Sequence, residues 1–271
     1  MASKLMRSLI YLAATITFGS LFYIVGFILA KGIPYITPEM FAWKYTTDNV
    51  SLMPSLITTF IVVGMTLLIA TPLGVFTGFY LVEYAQKGNK VVEVIRIATD
   101  TLAAVPSIVY GLFGMLFFVT FLNFQYSVLA GVLTSVIMVL PLIIRSTEEA
   151  LLSVNDSLRE ASFALGAGKL RTIFRVILPV SMPGILSGVI LASGRVVGET
   201  AALLYTLGSS TNLPDSLFSS GRTLALHMYV LSSEGMHVNE SYATGVVLIL
   251  FVLIINGLST FLSNRLTKGT K

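Results

Sequence analysis

Cysteine is absent from all 271 residues, which excludes disulfides, thiolate metal sites and cysteine nucleophiles. Charge is scarce: Asp, Glu, Lys and Arg make up 11% of the chain, against about 25% in an ordinary soluble domain. Histidine occurs twice, as His227 and His237, neither with a partner at metal-ligand spacing, so both are expected to be solvated or interfacial and no metal is expected. A phosphate-binding loop is missing as well. Gly166-Ala167-Gly168-Lys169 is followed by Leu170, and Phe163 stands where the motif needs its first glycine, so this chain cannot bind ATP by that motif. The net charge of +4 is not a nucleic-acid footprint, because the basic residues stand at the ends of apolar runs rather than in one patch. Long alternating stretches are lacking too, which excludes a membrane β-barrel.

What the chain has in quantity is apolar length. Hydrophobic residues make up 55% of it, and runs of about 20 recur, each long enough to cross the hydrocarbon core of a bilayer. They lie near Leu9–Ala30, Pro54–Leu81, Thr101–Leu122, Ser127–Ile144, Pro183–Leu207 and Thr244–Leu262. The expected fold is an all-α membrane protein of six transmembrane helices in a single domain over 1–271. The first run is too long for the apolar region of a signal peptide and has no clear cleavage site, so it is kept as a span. Pro34, Pro38 and Trp43 mark the first connection as extended and interfacial. Pro72, Pro106 and Pro141 fall inside spans, where they are expected to kink them.

Orientation follows from the basic residues. Thirteen (Lys4, Arg7, Lys87, Lys90, Arg96, Arg145, Arg159, Lys169, Arg171, Arg175, Arg265, Lys268 and Lys271) fall on one side, against Lys31, Lys44 and Arg222 on the other. The positive-inside rule then places both termini in the cytoplasm. The connection 208–242 lies outside, and its apolar content points to re-entrant or interfacial structure, or to a seat for a solute-binding protein.

Residues 145–179 form a cytoplasmic loop too polar to span. Ser157 and Glu160 have capping-box spacing, so a short helix is expected to begin near Leu158, with Leu158, Ala161, Ser162 and Leu165 on one face. Gly166-Ala167-Gly168 should end it. Pro179 and Pro183 should open the following span and break it away from that short helix.

In the fifth span, Arg195 and Glu199 stand at i and i+4, which would make them neighbours on one helix face. Ionisable groups at this depth are expensive unless paired, wet or functional, and a simple ion pair is one account of them. The other is chemical: Arg offers a planar fork for an oxyanion, and Glu an acceptor for an oxyanion that keeps a proton, a combination suited to hydrogen phosphate rather than to sulfate. Ser193, Thr200 and Thr206 could donate to a passing anion, although such hydroxyls more often bond their own backbone. Gly184, Gly188, Gly194 and Gly198 make two small-xxx-small pairs, suited to close helix packing.

Glu160-Ala161-Ser162, then Gly166, then Val176, Leu178 and Pro179 resemble, in order and spacing, the signature loop of ABC-importer membrane subunits of type I. Ser162 and Val176 replace an Ala and an Ile of that signature. Gly194-Arg195-Val196-Val197-Gly198-Glu199-Thr200-Ala201 resembles the phosphate-importer branch, and the following Ala202-Leu203-Leu204 its PstA-type subunit. The resemblance implies that 145–179 carries a coupling helix docking into an ATPase subunit, and that Arg195 and Glu199 match transport-essential positions. It implies a multi-pass subunit in a bacterial or archaeal inner membrane. The expected partners are a second PstC-like permease, two ATP-binding subunits, an extracytoplasmic phosphate-binding protein and membrane lipid, with no nucleic acid and no cofactor. A permease for another oxyanion is one alternative, an ion-coupled secondary transporter another, and a membrane enzyme a third.

Overall fold

The computed structural model describes residues 2–85 and 88–268, and among them there is no strand. Eleven α-helices follow in order: α1 (Ala2–Gly32), α2 (Met53–Phe79), α3 (Lys90–Ala103), α4 (Ser107–Gly114), α5 (Val128–Leu152), α6 (Asp156–Ala164), α7 (Lys169–Thr172), α8 (Leu178–Val197), α9 (Ala201–Thr206), α10 (Leu224–Glu234) and α11 (Val238–Lys268). Five stretches are long and apolar enough to cross a membrane, and a bent pair makes a sixth, as the apolar runs imply.

The core is built around α5. Its Val128, Val132, Val136, Val139 and Ile143 recur at helical spacing and are buried against Val62, Val63 and Ala70 of α2 and Ala192 and Val196 of α8. Two backbones touch where Gly184 and Gly188 of α8 meet Ala150 and Ser146 of α5, leaving no space for a Cβ at either glycine. Gly194 has only open space beside it, and at Gly198 a Cβ would meet nothing closer than ordinary van der Waals contact, so the second glycine pair does not pack helices.

Three expectations about boundaries are corrected. The run Thr101–Leu122 is not one kinked span: α3 and α4 meet at a 104° bend around Pro106, which has no N–H and adopts ψ 143 at the N-cap of α4. The carbonyl of Leu102 freed there accepts from the Tyr110 hydroxyl at 2.7 Å and from the Val105 N–H at 3.1 Å. The fifth span does stand apart from the short helix α6, but the break lies at residues 165–168 and not at Pro179 and Pro183. Lys169–Val197 runs on through both prolines, with a π-turn at Ile173–Ile177 just ahead of them in which the Leu178 N–H reaches the Ile173 carbonyl. Finally, that span stops at Val197 instead of running to Leu207.

α1 is exposed along its apolar length and joins the bundle near its C-terminal end. There Gly32 lies against the Tyr242 backbone with no room for a side chain, and Phe27 meets the Tyr242 ring edge-on at 5.8 Å.

Candidate functional site

The polar loop is positioned by its capping chemistry. Asn155, not Ser157, is the N-cap of α6: its side chain accepts from the Ser157 N–H at 3.0 Å, and the helix starts at Asp156, two residues ahead of the expected start. The Ser157–Glu160 capping box is therefore not formed, since Asn155, two residues earlier, already caps the first turn and places Ser157 inside the helix. Glu160 and Ala161 face outward, as do Leu158 and Leu165, leaving an open helix face. Ser162 alone of this set turns inward, its hydroxyl 2.8 Å from that of Thr172. Gly166 adopts φ +78, the left-handed conformation that a Cβ disfavours, and Ala167 N–H closes the turn onto the Ser162 carbonyl at 3.1 Å. Leu178 and Pro179 form the first turn of α8.

The loop is fixed to the bundle through Arg159, which sequence reasoning passed over. Its Nε and Nη2 donate to one oxygen of Glu83 at 3.1 and 2.8 Å, Nη2 also to the Leu151 carbonyl, and Nη1 to the Val154 carbonyl and to Asp156. All five N–H groups of the guanidinium are thus engaged. Arg159 and Glu83 are mostly buried, at 16% and 9% side-chain exposure. Glu83 belongs to a π-turn, Tyr80–Tyr84, that ends α2, and Lys169 lies 4.6 Å over the neighbouring Tyr84 ring. The sign that could have found Arg159 is its place beside Glu160 in a helix otherwise turned to solvent.

Arg195 and Glu199 do not form the expected pair. Gly198, Glu199 and Thr200 interrupt the helix, so the i, i+4 geometry is lost. The buried Glu199 carboxylate instead accepts from the Ala202 N–H at 2.9 Å at the start of α9. Arg195 opens onto a groove of about 550 Å³ between α5, α8 and α11, whose wall includes Leu142, Ser187, Leu191, Gly194 and Asn256. No carboxylate lines it. Of the other expected residues, Thr200 faces a different cavity of about 470 Å³, Ser193 is buried with its hydroxyl on the Ile190 carbonyl at 2.7 Å, and Thr206 bonds the Ala202 carbonyl. The groove thus receives Arg195 alone of that set.

The connection 208–242 is not a linker. Its α10 packs into the bundle, and His227, expected at a wet surface, is fully buried with Arg222 and beneath the Tyr45 ring, 6.1 Å from His227 and 5.1 Å from the Arg222 guanidinium. The apolar length of α10, with Leu224, Leu226 and Leu231 all buried, carries the histidine inward. Burial pulls the Arg222 pKa below its ordinary value. Burial first, and then Arg222, hold the His227 pKa at about 3. The unfolded chain takes up a proton near pH 6.5 that the folded one refuses, so stability is lost as pH falls from about 6.5 towards 3, by up to about 1.4 kcal/mol per pH unit. Thermal unfolding in detergent at pH 7.5 and 5.5 should show a steeper loss for the native chain than for His227→Phe. Equal slopes would remove His227 as the cause.

Residues 70–269 match the family described as binding-protein-dependent transport system inner membrane component. A probable ABC transporter permease, YqgI, from Bacillus subtilis (strain 168) is 34% identical, covering 98% of this chain and 96% of its own. The phosphate transport system permease PstA of Haemophilus influenzae is 33% identical over 94% of this chain and 91% of its own. Among solved structures, a bacterial alginate ABC transporter in complex with its pentasaccharide-bound periplasmic protein superposes with a TM-score of 0.70 at 13% identity, covering 98% of both chains.

Proposed function

Because the chain belongs to the family of binding-protein-dependent transport inner-membrane components and is a membrane-spanning ABC importer permease, we propose that its cargo is inorganic phosphate. The observation that carries this is Arg195, a guanidinium with no carboxylate partner among the described residues, opening onto a groove in the span region of the bundle. A planar fork in a site of low dielectric selects a tetrahedral oxyanion. The relatives named for phosphate transport support the same cargo, while the alginate transporter supports the fold alone.

On this reading both termini and the 145–179 loop lie in the cytoplasm, where thirteen basic residues gather. The outward face of α6, with Glu160 and Ala161, docks on an ATP-binding subunit, and Ser162, Gly166, Leu178 and Pro179 set its position. Two such subunits hydrolyse ATP on behalf of this chain and of a second, PstC-like permease that covers the groove. An extracytoplasmic binding protein delivers the anion, closure of the ATPases pulls on α6, and the path changes sides.

The deciding experiment measures ATP-dependent accumulation of labelled phosphate, sulfate and molybdate in vesicles carrying the full complex. Phosphate should accumulate, and a tenfold excess of sulfate should not compete. Accumulation of sulfate or molybdate in place of phosphate would assign the groove to another oxyanion.

A further inference from the structure

The groove that receives Arg195 holds a second polar group. Asn256 lies on α11, within the apolar stretch Val238–Phe261, and faces the same space as Arg195 on α8. Its backbone carbonyl accepts from Thr260 Oγ1 at 2.8 Å, but its carboxamide makes no hydrogen bond to any described residue. An amide at this depth is costly without a partner. The groove offers it little: the Ser187 hydroxyl is engaged with the Pro183 carbonyl at 2.8 Å, Gly194 has open space beside it, and Leu142, Ile190 and Leu191 are apolar.

Two donors therefore share a groove that no carboxylate lines, an arrangement that fits an anion arriving from outside the chain. Asn256 also brings a neutral acceptor. Hydrogen phosphate carries a proton that it must donate, whereas sulfate has none, and the buried Glu199 carboxylate is already occupied at Ala202. We propose that Asn256 is a specificity-determining residue for the transported oxyanion, its amide N–H donating to one phosphate oxygen and its amide oxygen accepting the phosphate proton. This rests on the phosphate reading above, and moves the proton-accepting role from Glu199 to Asn256.

The test uses the full complex in proteoliposomes, with phosphate-loaded binding protein in excess. Asn256→Leu, close in size, should lower the initial uptake rate about tenfold, the loss expected when hydrogen bonds to a charged ligand are removed. Asn256→Gln, which keeps donor and acceptor, should recover part of that rate. Co-purification with the ATP-binding subunits should be unchanged in both. A purely structural asparagine gives the reverse order, since Leu fills the volume better than the longer Gln, and Leu equal to or faster than Gln would overturn the proposal. Arg195→Lys, measured alongside, separates the two failures. If it too transports phosphate at the native rate, the groove is not the path and the roles of Arg195 and Asn256 fall together; if only the Asn256 variants are native-like, the role of Asn256 alone falls; and if the unaltered complex accumulates no phosphate, it is the phosphate reading that falls.

Discussion

Phosphate uptake by an Arg195→Lys protein should fall about ten- to a hundredfold, with the complex still assembled. Lysine keeps the charge but presents a point donor in place of a planar fork, and the second of two parallel hydrogen bonds to a charged oxygen is worth about 1.5–3 kcal/mol. The geometry sharpens a contrast that spacing alone left open. Had Arg195 and Glu199 merely neutralised each other, replacing both by Leu would leave no unpaired charge and transport would survive. Among the described residues they make no ion pair, and the carboxylate holds the first turn of α9. The double apolar variant should therefore be at least as inactive as Arg195→Leu. Glu199→Gln retains an oxygen for the Ala202 N–H and should cost far less than either arginine change. Initial rates of labelled phosphate uptake, normalised to co-purified complex, decide the matter; an active double variant would reduce Arg195 to a structural role.

Glu83→Leu is the second change with a large expected effect. It strands the Arg159 guanidinium, mostly buried, without its main partner, and breaking such a pair typically costs about 3–5 kcal/mol. Reversing the charges should not repair it. A glutamate at 159 would face the carbonyls of Leu151 and Val154, which now accept from the arginine, so Glu83→Arg with Arg159→Glu places acceptor against acceptor. In the purified complex, the melting temperature should drop by several degrees, and ATP hydrolysed per phosphate transported should rise as α6 loses its hold on the end of α2. Native melting and native stoichiometry in Glu83→Leu would show that the contact bears no load between them.

The spans could be read from the sequence because apolar length is a local property, and the end of α6 at Gly166 because a left-handed turn has a strong residue preference. The start of that helix was misplaced, since Asn155 and Ser157 are both good caps and only the fold chooses between them. The Arg195–Glu199 pair failed for a related reason: i, i+4 spacing implies contact only in an unbroken helix, and the polar run from Gly198 to Thr200 gave a local sign of the interruption. Asn256 and Arg222 were beyond reach because their meaning lies in long-range neighbours. An asparagine in an apolar run has no distinguishing pattern until α11 is seen beside α8. His227 was misjudged from its loop, whose apolar residues turn out to bury it.

The joint at Gly32 has a mechanical consequence. A helix of 31 residues is about 46 Å long, so a tilt of roughly ten degrees about one end displaces the other by about 8 Å. Within this chain, α1 is held near Phe27 and Gly32 and borders open space along the rest. Its angle is therefore set less by side-chain packing than by how thick the surrounding bilayer is, because an apolar rod longer than the hydrocarbon layer leans to hide its excess. Thinner membranes should swing the N-terminal end outward from the bundle while the pivot stays in place. The rest of the chain, with α5 gripped on several sides, should keep its shape across the same range of lipids.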